Sequence, residues 1–262
     1  MSNSFYNSIV NFKKQQLYRV PEGVQAQQFI ADLFETLFIS TSPADSNAFE
    51  VRARLAKLET QLQQLIESNN TSKDVASQQA QAFFAALPKL FDLLVADAQA
   101  LLEADPAAAS LDEVLIAYPG FFAVAAHRLA HELYQLKVPF IPRIISEFAH
   151  SKTGVDIHPG ATIGQRFVID HGTGIVIGET ALIGNDVVIY QNVTLGALNV
   201  RDVPASGKRH PTIGDRVVIY SGATILGPNA VIGHDSVIGG NVWLTESVEP
   251  NSFITKEVVY ND

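Results

Sequence analysis

The sequence predicts an α+β protein: an α-helical N-terminal domain over residues 1–150, a parallel β-helix of hexapeptide repeats over 151–247, and a short C-terminal tail over 248–262. Three observations carry this. Up to about residue 150 the apolar residues recur at helical spacing. From residue 154 an aliphatic residue recurs every six positions. Two polar, histidine-bearing segments then interrupt that second rhythm.

In the first part, "QAQQFIADLFETLF" (25–38) and "ASQQAQAFFAALPKLFDLLVADAQALLEA" (76–104) carry the spacing of amphipathic helices. The turn-rich "STSPADSN" (40–47) and "SNNTSKD" (68–74), and the prolines Pro139 and Pro142, separate the helices. No internal repeat is present, so the expectation is a helical bundle. Within it "HRLAH" sets His127 and His131 one turn apart on a helix face, the geometry of a paired metal site. With no third ligand nearby, a buried or interfacial polar pair is the preferred reading, and no metal is expected.

In the second part the column runs Ile157, Ile163, Ile169, then after a two-residue slip Ile177, Ile183, Ile189 and Leu195. It resumes at Ile213 and Ile219 and, with a one-residue slip, at Leu226, Ile232, Ile238 and Leu244. Neither a helix nor a strand has this period. Glycine often follows the aliphatic residue, as a tight bend at fixed intervals requires. Hexapeptide repeats mark a parallel β-helix in which three repeats close one triangular coil and stacked coils bury a continuous aliphatic column. Flat outer faces of such a solenoid invite self-association.

Composition narrows the function. With 18 Lys and Arg against 27 Asp and Glu the net charge is −9, which opposes binding to nucleic acid or an anionic membrane. No stretch approaches the roughly 20 apolar residues that span a bilayer, and the N-terminus lacks a signal-peptide pattern, so a cytoplasmic protein is expected. The absence of cysteine excludes a disulfide framework, a thiolate nucleophile and a Cys-ligated metal.

Function in repeat proteins concentrates where the repeat breaks. The first break, "DHGTG" (170–174), carries Asp170 and His171. The second, "GALNVRDVPASGKRHP" (196–211), carries Arg201, Lys208, Arg209 and His210. Histidine accepts a proton near neutral pH, and a carboxylate on its far nitrogen fixes its tautomer. Asp156, in "VDIHP", lies close to one coil before His171 and is either that orienting partner or, with His158, the polar first turn of the solenoid. Arg209 suits an anionic group such as a carboxylate, held bidentately, unless "GKRHP" is only a solvated turn.

"GVDIHPGATIG", "DHGTGIVIGETALIGNDVVIYQNVTLG" and "KRHPTIGD" closely resemble the serine O-acetyltransferase family, and "ADPAAASLDEVLIAYPGFFAVAAHRLAHEL" (104–133) resembles its final helical stretch. The resemblance covers roughly residues 104–245. It implies a left-handed parallel β-helix and transfer of acetyl from acetyl-CoA to the hydroxyl of L-serine, giving O-acetylserine for cysteine synthesis. His171 is then the general base and Asp156 its orienting partner. Asp105 and Asp170 match positions that hold the substrate ammonium, and Arg209 and His210 those that hold its carboxylate. Backbone amides near Gly196 and Ala197 become oxyanion donors, and Lys208 and Arg201 meet the phosphates of acetyl-CoA, a co-substrate rather than a tightly bound cofactor. The resemblance also implies a homotrimer with sites between subunits, pairing of trimers into a hexamer, and feedback inhibition by L-cysteine.

Two departures from the family stand out. "TLGA" with the inserted "LNVRDVPAS" replaces a short "TLGG…GK" loop, which bears on the CoA contacts. The long tail ending in isoleucine that docks into O-acetylserine sulfhydrylase is not in the sequence, so a stable complex with that enzyme is not expected. The rival readings are a hexapeptide acyltransferase with another acceptor, a γ-type carbonic anhydrase, whose His-x4-His spacing is not found here, and a non-catalytic scaffold.

Overall fold

A computed structural model describes residues 3–15, 23–40, 42, 47–69, 71–198 and 207–255. Its helices are α1 (Asn3–Lys14), α2 (Gly23–Phe38), α3 (Ala48–Glu67), α4 (Lys73–Ala104), α5 (Leu111–Ala117), α6 (Pro119–Gln135) and α7 (Ile141–Thr153). The breaks between α2 and α3, α3 and α4, and α6 and α7 fall at the turn-rich segments and prolines named above. Asn47 caps α3 by accepting the Phe49 N–H, and Ser110 caps α5 by accepting that of Glu113. Phe29, Leu33, Leu62, Ile66, Phe83, Leu129 and Leu133 are buried together as the core of the bundle. Helix α7 continues past the expected boundary at 150 and ends on Gly154, whose positive φ of 74° supplies the left-handed cap.

The strands that follow form three parallel sheets, one strand per sheet per coil, which is the triangular solenoid. Sheet 1 stacks β1 (Val155–Ile157), β4 (Ile175–Ile177), β7 (Thr194–Gly196), β10 (Thr224–Leu226) and β13 (Trp243–Leu244). Sheet 2 stacks β2 (Thr162–Ile163), β5 (Leu182–Ile183), β8 (Thr212–Ile213) and β11 (Val231–Ile232). Sheet 3 stacks β3 (Val168–Ile169), β6 (Val188–Ile189), β9 (Val218–Ile219), β12 (Val237–Ile238) and β14 (Phe253–Ile254). The chain turns from sheet 1 to sheet 2 at a first vertex and from sheet 3 back to sheet 1 at a third.

Three details correct the sequence reading. The inward residue of β10 is Ile225, not Leu226: it is fully buried and pairs with Leu195, whereas Leu226 pairs with Gly196. The period of six therefore survives through Ile225, and the one-residue slip falls in the next turn. The solenoid also outlasts residue 247, because Val248 bridges to Ile232 and β14 pairs with β12. Finally, Gly164 is not a bend requirement but a crowding one: a Cβ there would stand 2.5 Å from the Gly184 carbonyl oxygen of the next coil.

The bundle docks on the first coils through α4 and α6. Ala123 and Val124 of α6 join the aliphatic column itself. Arg128 of α6 and Asp97 of α4 form an ion pair whose side chains are 4% and 1% exposed. Arg128 Nη2 donates to Asp97 Oδ1 at 2.8 Å and to the Gly164 carbonyl at 2.6 Å, and Nη1 donates to that of Ile163 at 3.1 Å. Asp97 Oδ1 also accepts the Phe167 N–H at 2.9 Å. At the start of α6, Gly120 meets β3 so closely that a Cβ would lie 2.1 Å from the Ile169 carbonyl oxygen.

That contact makes a specific expectation. Gly to Ala within a helix normally gains about 1 kcal/mol of propensity. At Gly120 the overlap with Ile169 reverses the sign, and Gly120→Ala is expected to lose roughly 1–3 kcal/mol in urea unfolding. A variant at least as stable as the parent would contradict the contact.

Candidate active site

The first interruption of the repeat builds an acidic, histidine-bearing corner at the third vertex. Left-handed backbone recurs there coil after coil, at Gly154, Gly174, Asn192, Gly222 and Asn241. Hydrogen bonds such as Gly174 N–H to Gly154 O and Asn192 N–H to Thr173 O hold the coils in that register. His171 has a positive φ of 54° with no counterpart in the column. The two-residue slip creates this extra position and turns the imidazole outward, leaving its side chain 67% exposed. A non-glycine residue held in this region stores local strain, which concentrates at functional sites.

Asp170 Oδ1 accepts the His171 backbone N–H at 2.7 Å, and Asp170 Oδ2 lies 3.9 Å from His171 Nε2. From the bundle comes Asp105, the C-cap of α4, in a cleft of about 410 Å³ lined also by Tyr118, Pro119, Gly120, Asp170, His171 and Gly172. Asp105 Oδ2 accepts the Tyr118 hydroxyl at 2.6 Å and Oδ1 the Ala107 N–H at 2.8 Å. The Tyr118 bond, then that of Ala107, then the nearby His171 hold the Asp105 carboxyl below its usual range. The same bond pushes the Tyr118 hydroxyl up to about 12. The cleft thus sets two carboxylates beside an imidazole, suited to an ammonium group and a proton to be removed.

Asp156 sits outward on β1, in register with Val176 of β4. Among the described residues it makes no hydrogen bond or ion pair with His171; it lies near His158, whose pKa burial lowers against the opposing charges of Glu179 and Asp156.

Arg209 and His210 stand elsewhere, at the first vertex, where the long loop re-enters the solenoid before β8. Arg209 pairs with Glu179 of the preceding coil, which also accepts the Tyr134 hydroxyl at 3.2 Å. His210 is buried over Gly178, where a Cβ would fall 2.0 Å from the ring. Its Nδ1 accepts the Thr180 backbone N–H at 3.1 Å, which leaves Nε2 as the donor of the neutral ring. Burial, reinforced by Arg209 and opposed by Glu179, lowers the His210 pKa to about 4. Lys208 Nζ donates to the carbonyls of Thr180 and Pro211 at 2.9 and 3.2 Å, fastening the loop to the coil. Gly196 and Ala197 leave sheet 1 at this vertex, and Arg201 lies outside the described residues.

The predicted residues therefore fall into two groups on opposite edges of sheet 1: Asp105, Asp170 and His171 at one, and Gly196, Ala197, Lys208, Arg209 and His210 at the other. Sequence reasoning missed Tyr118, which orients Asp105, and Glu179 and Thr180, which order the Arg209–His210 pair. The "GET" string containing the last two was visible, but its partners lie about thirty residues on, across a loop of unpredictable path. His127 and His131 gain no third ligand among the described residues. Instead, burial drives the His127 pKa well down, and His131 Nδ1 pairs with the Pro159 carbonyl at 2.8 Å.

Comparison with known proteins shows what the chain resembles. A family profile described as "Serine acetyltransferase, N-terminal" matches residues 30–126. The plasmid-encoded serine acetyltransferase of Synechococcus elongatus is 54% identical over 192 residues, covering 71% of this chain and 60% of its own length. Serine acetyltransferase isoform 3 of Entamoeba histolytica, solved in complex with cysteine, superposes with a TM-score of 0.80 at 37% identity, over 91% of this chain and 83% of that one. The soybean serine acetyltransferase, solved with serine, superposes with a TM-score of 0.61 at 31% identity, over 87% and 95%.

The lowered pKa of His210, and of His127 with it, fixes a pH dependence. In each case the folded state binds a proton less readily than the unfolded chain. The resulting stability is present above the unfolded value of 6.5 and is lost as the pH falls below it, for His210 toward about 4. Urea midpoints are expected to drop across that window and to drop less in His210→Asn. An identical slope in parent and variant would contradict the assignment.

Proposed function

The chain belongs to the serine acetyltransferase family, and from that premise we propose that it transfers acetyl from acetyl-CoA to the hydroxyl of L-serine, giving O-acetylserine and free CoA. The observation that carries this reading is the convergence of Asp105, Asp170 and His171 in one cleft at the break of the repeat. His171 takes the serine hydroxyl proton as the oxygen attacks the thioester carbonyl. Asp105 and Asp170 hold the ammonium. We assign Asp156 as a partner of the imidazolium once substrate and a second copy are in place. A positioned base contributes roughly 10²- to 10⁴-fold, and holding both substrates together adds much of the remainder. Direct transfer needs no enzyme nucleophile, in keeping with a sequence free of cysteine.

The carboxylate of serine needs Arg209 and His210, which one chain keeps on the far edge of sheet 1. A second copy resolves this: packed side by side about a threefold axis, the first vertex of one solenoid faces the third vertex of its neighbour. We therefore infer a trimer with a site at each junction, and pairing of trimers through the helical bundles. His210 then presents its Nε2 proton, and Arg209 exchanges part of its pairing with Glu179 for the substrate. Gly196 and Ala197 offer amides to the oxyanion, and the loop cations Arg201 and Lys208 are assigned to the CoA phosphates on charge alone. Because cysteine carries the same head group as serine, it should compete for the cleft, as its presence in the Entamoeba structure supports. We propose the cytoplasm as the compartment of the reaction.

The test is thiol release from acetyl-CoA with L-serine, L-homoserine and an amino sugar in parallel. Serine-dependent release is expected, with kcat lower by roughly 10²- to 10⁴-fold in His171→Ala. Preference for another acceptor, or an unaffected variant, would overturn the assignment.

A further inference from the structure

Helix α4 turns three carboxylates toward the solenoid, and only the last enters the cleft. Asp97 grips the Phe167 N–H and Arg128, and Glu103 Oε2 accepts Arg166 Nη2 at 2.7 Å, so both fasten α4 to the turn between β2 and β3. Asp105 lies two helical turns beyond Asp97, about 12 Å along the axis. Its own hydrogen bonds, to Ala107 and Tyr118, both come from the bundle side. Among the described residues nothing on the solenoid bonds Asp105 directly. Its distance from His171 is consequently set by where α4 sits on that turn, together with the packing of Pro119 and Gly120 against Ile169 and Gly172. The grip is also local to the other side of the cleft, since the chain runs from Phe167 through β3 to Asp170 in three residues.

Resting on the functional reading above, we propose that Asp97 and Arg128 are positioning residues of the acceptor site: they fix the spacing between Asp105 and the Asp170–His171 corner. A buried ion pair is a poor means to stability alone, because well-packed apolar residues of similar volume often serve as well or better. What apolar residues cannot do is hold one N–H and two carbonyls of the solenoid in fixed directions, as this pair does at Phe167, Ile163 and Gly164. Angular and axial freedom of α4 is removed by those bonds. A displacement near 1 Å at a reacting centre can cost about a hundredfold, so the constraint has a kinetic consequence.

The test is a double-mutant cycle on the full-length enzyme. Asp97→Asn keeps the shape and weakens the grip. Serine KM should rise about tenfold while acetyl-CoA KM stays within about twofold, because the donor contacts come from the other vertex. In an Asp105→Asn background the same substitution should leave serine KM unmoved, since its effect passes through Asp105. An equal rise in both backgrounds, a loss of thermal stability with serine KM unchanged, or an Asp105→Asn variant of normal serine KM would each overturn the proposal. If Asp97→Asn fails to fold, Arg128→Lys, which keeps the charge and loses the fork, is read by the same cycle. Failure of the functional reading looks different: the parent enzyme itself would release no thiol with serine.

Discussion

Everything at the third vertex depends on how tightly the bundle is held against the solenoid. The aliphatic column brings Asp170 and His171 to a corner where Gly172 packs against Pro119 and Gly120 of α6, and Asp105 belongs to a helix and reaches them only through docking. The junction is buried, and it is made by groups that cannot slide: a guanidinium and a carboxylate bonded to each other and to three backbone groups. Gly120 removes the one side chain that would hold α6 away from β3. Removing either partner would leave a buried charge uncompensated, which is why the two act as a unit.

The solenoid imposes the complementary constraint. Its repeat makes every coil alike, so a catalytic corner requires a departure from it. The two extra residues before Thr173 provide one, adding a left-handed position that the register does not need and placing His171 in it. The long loop provides the other and returns to the coil under the control of Thr180, Glu179 and Gly178. Because the departures occupy different vertices, the proposed chemistry is divided between chains, and self-association becomes a condition of the proposed activity.

Much of this was legible in the sequence. The change of period located the junction of helices and solenoid, and the slip at "DHGTG" marked the extra, outward-facing position that His171 occupies. What could not be read was pairing at long range. "TIL" offers two adjacent aliphatic residues, and only the register of β10 against β7 decides that Ile225 faces inward. Asp97 and Arg128 lie 31 residues apart on different helices, and besides each other their partners are backbone atoms with no sequence signature. Asp156 lies at the spacing of an orienting carboxylate, yet spacing along a coil does not specify which way a side chain leans. Nor does a loop's length reveal which vertex it serves.

The division of the site between copies is the central claim, and co-expression of two inactive variants tests it most directly. His171→Ala ruins one vertex and Arg209→Ala the other. If each site draws one vertex from each of two neighbours, random mixing of equal amounts restores about one quarter of the sites, and serine-dependent thiol release returns to about that fraction of the parent rate. Mixed oligomers that stay as inactive as either variant alone would show that each chain builds its site by itself.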